Sequence, residues 1–456
     1  MDLDLLHHHL ARALLHLHGQ PPLFNFVIGI ALKLAGDGYG AVLLALQLLL
    51  GGFVPILAYM TLRRLQVNPV FSFIVATLLL LNPAAILSEF DALYTELVYA
   101  MLTGLAYALA SLVVTQQKIW LSLALSLALL LSLTRATYQW VWLAMLCALL
   151  WWLLPLLRRT VLRTSLVFLA LSILWPAKNL ILFHHFTSST WLSYSLSKHW
   201  HANDPTVSVL VWEGRLPTYE VPDGAPDEVM NRWLAQRWAT PPTGYPELDS
   251  LTKSVGGFSN WNSLALLHMR EAQNKDVHLL LKTDPRPFFQ DILWSSRLYF
   301  EPASRYFLYS GRESFENYQH LAPWTRRVDR AFCNLFGLPA QFQPGRESEA
   351  TATSVSTFHI SPWQYVQSLS IGAILINALA VLAMLSLLIR RFWRGALPRR
   401  QLVILLSFTI AWVLLVTNLA EIGENMRFRF ETHVLVCIVA AVFLQQLVQN
   451  RRTRRT

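Results

Sequence analysis

The chain has 456 residues, of which 54% are hydrophobic and 14% charged, against roughly 45–50% and about 25% in soluble globular domains. That balance excludes a water-soluble enzyme and points to a membrane protein. The formal charge of +10 does not mark a nucleic-acid binder, because the basic residues lie in short gaps between apolar runs rather than along a stripe interleaved with aromatics.

Residues 1–36 come first, apolar but interrupted by charge, histidine and the pair Pro21-Pro22. Leu5, Leu6, Leu10, Leu14, Leu15 and Leu17 fall largely on one helical face, the pattern of a helix lying along a membrane interface. No basic leader or small-residue cleavage site precedes them, so a signal peptide is not expected. Apolar runs long enough, or nearly so, for a crossing of about 20 residues come next at 40–62, 70–88, 93–114, 119–134, 138–157, 161–183, 364–390, 401–420 and 429–448. The predicted fold is therefore an all-α integral membrane bundle of about nine transmembrane helices. It divides into an outer juxtamembrane segment (1–36), an N-terminal bundle of six helices (37–183), an outer domain (184–363), three C-terminal helices (364–450) and a basic tail (451–456).

The gaps between runs set the orientation, since Lys and Arg near helix ends stay on the cytoplasmic side. Alternate gaps carry Arg63 and Arg64; Lys118; Arg158, Arg159 and Arg163; Arg390, Arg391, Arg394, Arg399 and Arg400; and Arg451, Arg452, Arg454 and Arg455, with no acid among them. The other gaps, including 184–363 with its 16 basic and 18 acidic residues, then face the periplasm or a lumen. The outer segment carries no Asn-x-Ser/Thr sequon, which favours a bacterial inner membrane over the secretory pathway. An odd number of spans leaves the N-terminus outside with nothing to deliver it there, so one more helix ahead of Asp2 is expected in the natural protein. Within the outer segment, 225–239 and 263–282 have helical apolar spacing, and Pro285, Pro287 and Pro302 punctuate the stretch C-terminal to them. Its tryptophans, Trp191, Trp200, Trp212, Trp233, Trp238, Trp261 and Trp294, suit interface or core packing, with stacking on sugar rings as the alternative.

Ionisable and other polar residues gather at the outer ends of the predicted helices. They are Asp2 and Asp4; His18 and Gln20 before Pro21; Glu89, Asp91, Tyr94 and Glu96 in SEFDALYTE; Arg135 in SLTRATYQ; Lys178; and Glu421, Glu424, Asn425, Arg427 and Arg429 in EIGENMRFRF. Such groups at a membrane rim are costly unless solvated, paired or used. An outer Asp, HGQPPLFNFVIGIALKL, NPAAILSEFDALYTELVYAML, SLTRATYQ, a large outer loop and a late arginine-bearing turn succeed one another. Over roughly the first 180 residues and 421–430, this order resembles the GT-C superfamily of integral-membrane glycosyltransferases, which includes the protein O-mannosyltransferases and the lipid A aminoarabinose transferases.

The resemblance implies transfer of a sugar from a polyprenyl-phosphate donor to a lipid, glycan or protein acceptor on the outer face, with a carboxylate of the first outer loop as base. That role falls to Asp4 or Asp2, although the transmembrane helix that precedes such an Asp in the family is missing here. Displacing phosphate from an anomeric carbon, with inversion, needs a base for the acceptor hydroxyl and a cationic clamp for the leaving phosphate. Arg427, Arg429 and Arg135 suit the clamp through their permanent charge and forked donors. Asp91 or Glu96 would orient sugar hydroxyls, and Tyr94, Glu424, Asn425, His18 and Gln20 complete the substrate-binding candidates.

Each candidate also has a structural reading. Arg427 and Arg429 can pair with Glu421, Glu424 or Glu431 or reach headgroups, Arg135 can pair with Asp91 or Glu96, and Tyr94 can anchor an interface. His7, His8, His9, His16 and His18 read as interfacial, since three consecutive residues cannot share one helix face and no HExxH or cysteine pair accompanies them. Cys147 and Cys437 lie in apolar runs and Cys333 in a polar one, so neither a metal site nor a disulfide framework is expected. No cofactor is assigned; a divalent cation between donor phosphate and carboxylate stays open. Two rival functions remain, a lipid or solute transporter and a non-catalytic assembly subunit. Charges at helix ends rather than the midplane, and the lack of internal repeats, argue against the first.

Overall fold

The structure, a computed structural model, describes residues 1–90, 93–201, 204–221, 226–254, 257–300, 371–422 and 424–452. Every regular element among them is a helix, and the one β pairing is an isolated bridge between Thr252 and Ser259. Five apolar stretches are long enough to cross a bilayer: Leu23–Arg64, Thr95–Thr115, Pro155–Phe183, Leu397–Ala420 and Asn425–Arg452. Four more apolar helices, Pro69–Leu80, Lys118–Thr134, Trp140–Leu153 and Ile374–Ser386, are shorter. Many large apolar side chains face outward on these helices, among them Leu49, Phe53, Val70, Phe73, Ile74, Leu166, Leu174 and Ile181. Water would not tolerate so much exposed hydrocarbon, whereas lipid does. The chain is an all-α membrane protein.

The helices, in order, begin with α1 (Leu3–His8), α2 (Leu10–His16) and α3 (Leu23–Ala35), followed by α4 (Tyr39–Arg64), α5 (Pro69–Leu80) and α6 (Pro83–Glu89). The apolar run 70–88 is thus two helices rather than one. Pro83 disfavours helical backbone at Asn82, whose side chain instead accepts from the Ala84 N–H at 3.0 Å and starts α6. The amphipathic N-terminal segment is likewise broken in two at His9. Leu6, Ala13 and Leu32 of α3 share a small core there, with Leu10, Ile28 and Tyr39 against it, while Leu15 stays exposed. Gly29 admits Leu10, since a Cβ at that glycine would lie 2.3 Å from its Cδ1.

The bundle continues with α7 (Thr95–Thr115), α8 (Lys118–Thr134), α9 (Trp140–Leu153) and α10 (Arg158–Phe183). Helix α7 is its axle, buried from Val98 to Val113 and packed on α4 and α8. Small residues ease this packing: Gly104 lies on Leu127 of α8, where a Cβ at Gly104 would stand 3.3 Å away, and Ala106, Ala108, Ala110, Ala124 and Ala128 are buried in the same core. At α4, Gly51 leaves room for Glu89, whose Oε1 would sit only 2.0 Å from a Cβ at that position.

The segment expected to lie outside the membrane supplies α11 (Leu192–Ser197), α12 (Pro205–Trp212), α13 (Asp227–Arg237), α14 (Pro246–Asp249), α15 (Leu264–Thr283) and α16 (Arg286–Phe300). The expected helices at 225–239 and 263–282 are α13 and α15. Helix α16 returns to the bundle and lies against α18 (Leu397–Ala420) and α19 (Asn425–Arg452), after α17 (Ile371–Ser386). Arg399 at the far end of the bundle is buried rather than part of a solvated fringe. Its Nε donates to Leu65 O at 2.8 Å and Nη2 to Gln66 O at 3.3 Å, closing the C-terminus of α4 against α18.

Candidate functional site

Helix ends build the site. Tyr94 precedes α7, Arg135 terminates α8 with its N–H on Leu131 O at 3.0 Å, Glu424 immediately precedes α19, and Asn425 to Glu431 form its start. At this rim the Arg135 guanidinium is buried, ion-paired with Glu431, and stacked 3.6 Å from the centre of the Phe428 ring and 5.1 Å from that of Tyr94. Arg427 pairs with Glu424, donates to Tyr94 Oη at 3.4 Å, and lies 5.4 Å from the Tyr94 ring centre. Two guanidinium groups therefore share two aromatic rings and two carboxylates at one end of the bundle. Like charges so close are tolerated because each has its own carboxylate and ring quadrupole.

Tyr94, Arg135, Glu424 and Arg427 are the sequence candidates brought together here. The partner of Arg135 is Glu431; Glu96 instead accepts from Ser88 Oγ at 2.6 Å and is buried within the bundle. Asp91 lies outside the described residues. Asn425 serves the backbone: its Nδ2 donates to Asn418 Oδ1 and to Glu421 O, both at 3.1 Å, closing the end of α18. Arg429 is turned away from Arg427, towards Tyr299, His433 and Cys437, because residues two apart on a helix point to different faces.

The predicted base lies elsewhere. Asp2 is buried and caps α1, accepting from Asp4 N at 3.0 Å, from Ser254 N at 2.5 Å and from Ser254 Oγ at 2.7 Å. Burial alone would raise its pKa, but these donors hold it below the ordinary carboxylate value. Asp4 is exposed, 3.5 Å from His8 Nε2. Both line an open cleft of about 370 Å³ with His9, Arg12, Lys253 and Asn260. Arg12 is held at its edge by the fully buried Glu247, at 2.7 Å. This cleft and the arginine rim sit at opposite ends of α3. Phe24, at its start, packs on Tyr94 with ring centres 5.7 Å apart, while Lys33, near its end, donates to His7 O of α1 at 3.0 Å. Nine residues of helix between them rise about 14 Å.

His18 and Gln20 form a third group, at the junction with the outer domain. The Asn262 side chain takes His18 N–H at 2.8 Å and Gly19 N–H at 3.3 Å and donates to His16 O at 2.9 Å. His18 Nε2 lies 3.0 Å from Asn262 O, a pure acceptor, so that nitrogen carries the proton. Nδ1 then accepts from the Thr190 hydroxyl at 3.1 Å, and Thr190 Oγ1 accepts from Arg270 Nη1 at 2.8 Å. Burial, then the nearby Arg270 charge, lowers the His18 pKa to about 3, so the ring is neutral. Gln20 is half-buried at the start of the turn into α3.

Glu431, Phe428, Asn262 and Arg270 escaped the sequence reading as site residues. For Arg270 a signal existed: with Leu266, Gln273 and Val277 it occupies the apolar stripe of α15, where a charge needs a reason. Among the described residues, no group of three His, Cys, Asp or Glu side chains is disposed to hold a metal ion. No family model, curated protein or solved structure matches the chain.

Proposed function

We propose that this chain is a polytopic membrane glycosyltransferase of the GT-C kind, with its site on the outer, periplasmic face and a polyprenyl-phosphate sugar as donor. In this reading the four shorter apolar helices complete nine crossings, the bilayer thinning locally around them and flanking residues snorkelling to its surface. The observation that carries it is the Arg135–Arg427 rim. Two buried guanidinium groups side by side at one end of the helix bundle provide forked donors for a phosphate on a membrane-anchored carrier. Glu424 and Glu431 hold them in place until phosphate competes for the same donors. Departure of the phosphate leaves a cationic sugar ring, which the Tyr94 face and nearby carboxylates stabilise. An acceptor hydroxyl attacks from the opposite side as a carboxylate removes its proton; by resemblance that base is Asp4, and by proximity to Arg427 it is Glu424.

The separation of Asp4 from the arginines along α3 favours a second reading, a subunit that binds a lipid phosphate without turning it over. Purified full-length chain in detergent, given a radiolabelled undecaprenyl-phosphate hexose and a membrane extract as acceptor, tests both. The first reading expects binding and label transfer, both lost in Arg427→Gln, with transfer alone lost in Asp4→Asn and transfer lost with binding altered in Glu424→Gln. Binding without transfer would establish the second, and absence of both would end the arginine-clamp assignment.

A further inference from the structure

Arg270 is only 2% exposed, yet of its donors only Nη1 is used, on Thr190; Nε and Nη2 have no hydrogen-bond partner. Those two nitrogens form the side-on edge of the guanidinium, the fork that takes two oxygens of one oxyanion in parallel. The neighbouring acid in sequence does not answer it, because Glu271 is committed to His185 Nε2 at 2.7 Å. Burial, eased only by Tyr194, pulls the guanidinium down to about 9. A buried cation without a carboxylate is costly to maintain, so an outer domain that keeps one has a use for it.

The surroundings indicate the use. The Arg270 Cζ lies 4.5 Å from the centre of the Trp191 ring, which packs at a tilt on Trp261 with centres 4.9 Å apart and edge-on against Tyr194 at 5.1 Å. All three rings are half-buried, presenting part of their surface outward. Gly19 closes the other side, where a Cβ would stand 3.3 Å from Trp261 O and 3.9 Å from Arg270 Nη1. A cluster of aromatic faces beside one fixed polar fork is the make-up of a site for a small polar ring carrying a charge.

We propose that Arg270, Trp191, Tyr194 and Trp261 form a binding site for an anionic sugar, whose phosphate or carboxylate takes Nε–H and Nη2–H while the sugar ring lies on the aromatic faces. The site is separate from the Arg135–Arg427 rim and requires no turnover. The side on which the three rings are only half-buried is its way in.

Calorimetric titration of the full chain in detergent with glucose 1-phosphate, glucuronate, inorganic phosphate and glucose tests it, with tryptophan fluorescence as a second readout. Both anionic sugars should bind, glucose at least about tenfold more weakly; whichever anionic sugar binds more tightly identifies the oxyanion. Arg270→Gln should weaken the anionic sugars about tenfold or more while leaving glucose unchanged, and Arg270→Lys, which keeps charge but loses the fork, should fall between. Trp191→Ala should weaken the sugars but not inorganic phosphate, which separates ring stacking from charge in a variant that keeps the arginine. Failure of the wild-type chain to bind either anionic sugar, or equal affinity in Arg270→Gln and wild type, would overturn the assignment.

Discussion

At the bundle rim, Arg135 and Arg427 face Glu431 and Glu424; in the outer domain, Arg270 is just as buried but faces a threonine hydroxyl and an indole. The first arrangement neutralises its charges internally, so it is stable with nothing bound and must give up ion pairs to receive an anion. The second keeps an open fork and is completed by whatever it binds. Burial alone therefore does not define an arginine's role; the identity of its counter-group does.

The largest effect expected from that contrast is at the rim. Glu431→Gln leaves Arg135 buried without a charge partner and should cost about 3–5 kcal/mol, seen as a lower midpoint in thermal unfolding of the detergent-solubilised chain. If Glu431→Gln unfolds at the wild-type temperature, the rim is more hydrated than its packing indicates.

At the outer-domain junction the test is pH. Neutral His18, with its pKa near 3 in the folded state against about 6.5 when unfolded, excludes a proton that the unfolded chain binds. Stability is full above pH 6.5 and falls as the pH drops from there towards 3. Between pH 7 and 5 the loss should be about 2 kcal/mol, read as faster hydrogen exchange at Thr190 and Asn262. His18→Gln should flatten that slope; an unchanged slope would place the titrating group elsewhere.

The smallest effect separates the two N-terminal acids. Asp2→Ala removes a helix cap and the Ser254 contacts and should cost about 1 kcal/mol, whereas Asp4→Ala, exposed, should stay within about 0.5 kcal/mol. A loss of transfer in the Asp4 variant would then be chemical rather than structural.

Much of the bundle was legible in the sequence because lipid imposes long apolar runs, and α4, α7, α10, α18 and α19 sit where those runs lie. The division of 70–88 was also written there, in Pro83, but hydropathy averages over it. Helix α16 was not legible as a bundle neighbour, since polar residues between Phe288 and Phe300 conceal a face that packs only in three dimensions. Of the candidate site, residues close in sequence to a helix end, such as Tyr94, Arg135 and Arg427, could be drawn together by topology. What topology cannot give is distance along an element. Asp4 and Arg427 share an end of the bundle by alternation, yet α3 holds their surroundings apart, and that separation depends on α1 folding back over Ile28 and Leu32.

The close fit of Glu89 against Gly51 carries a consequence for how this chain can vary. The carboxyl end of Glu89 occupies the space that a side chain at 51 would need, and because it ends a flexible side chain it can swing aside, so positions 51 and 89 are coupled without being locked. Gly51→Ala should be tolerated where Glu89 can turn to another rotamer, and Glu89→Ala should relieve the contact, so the two substitutions together should cost less than the sum of each alone.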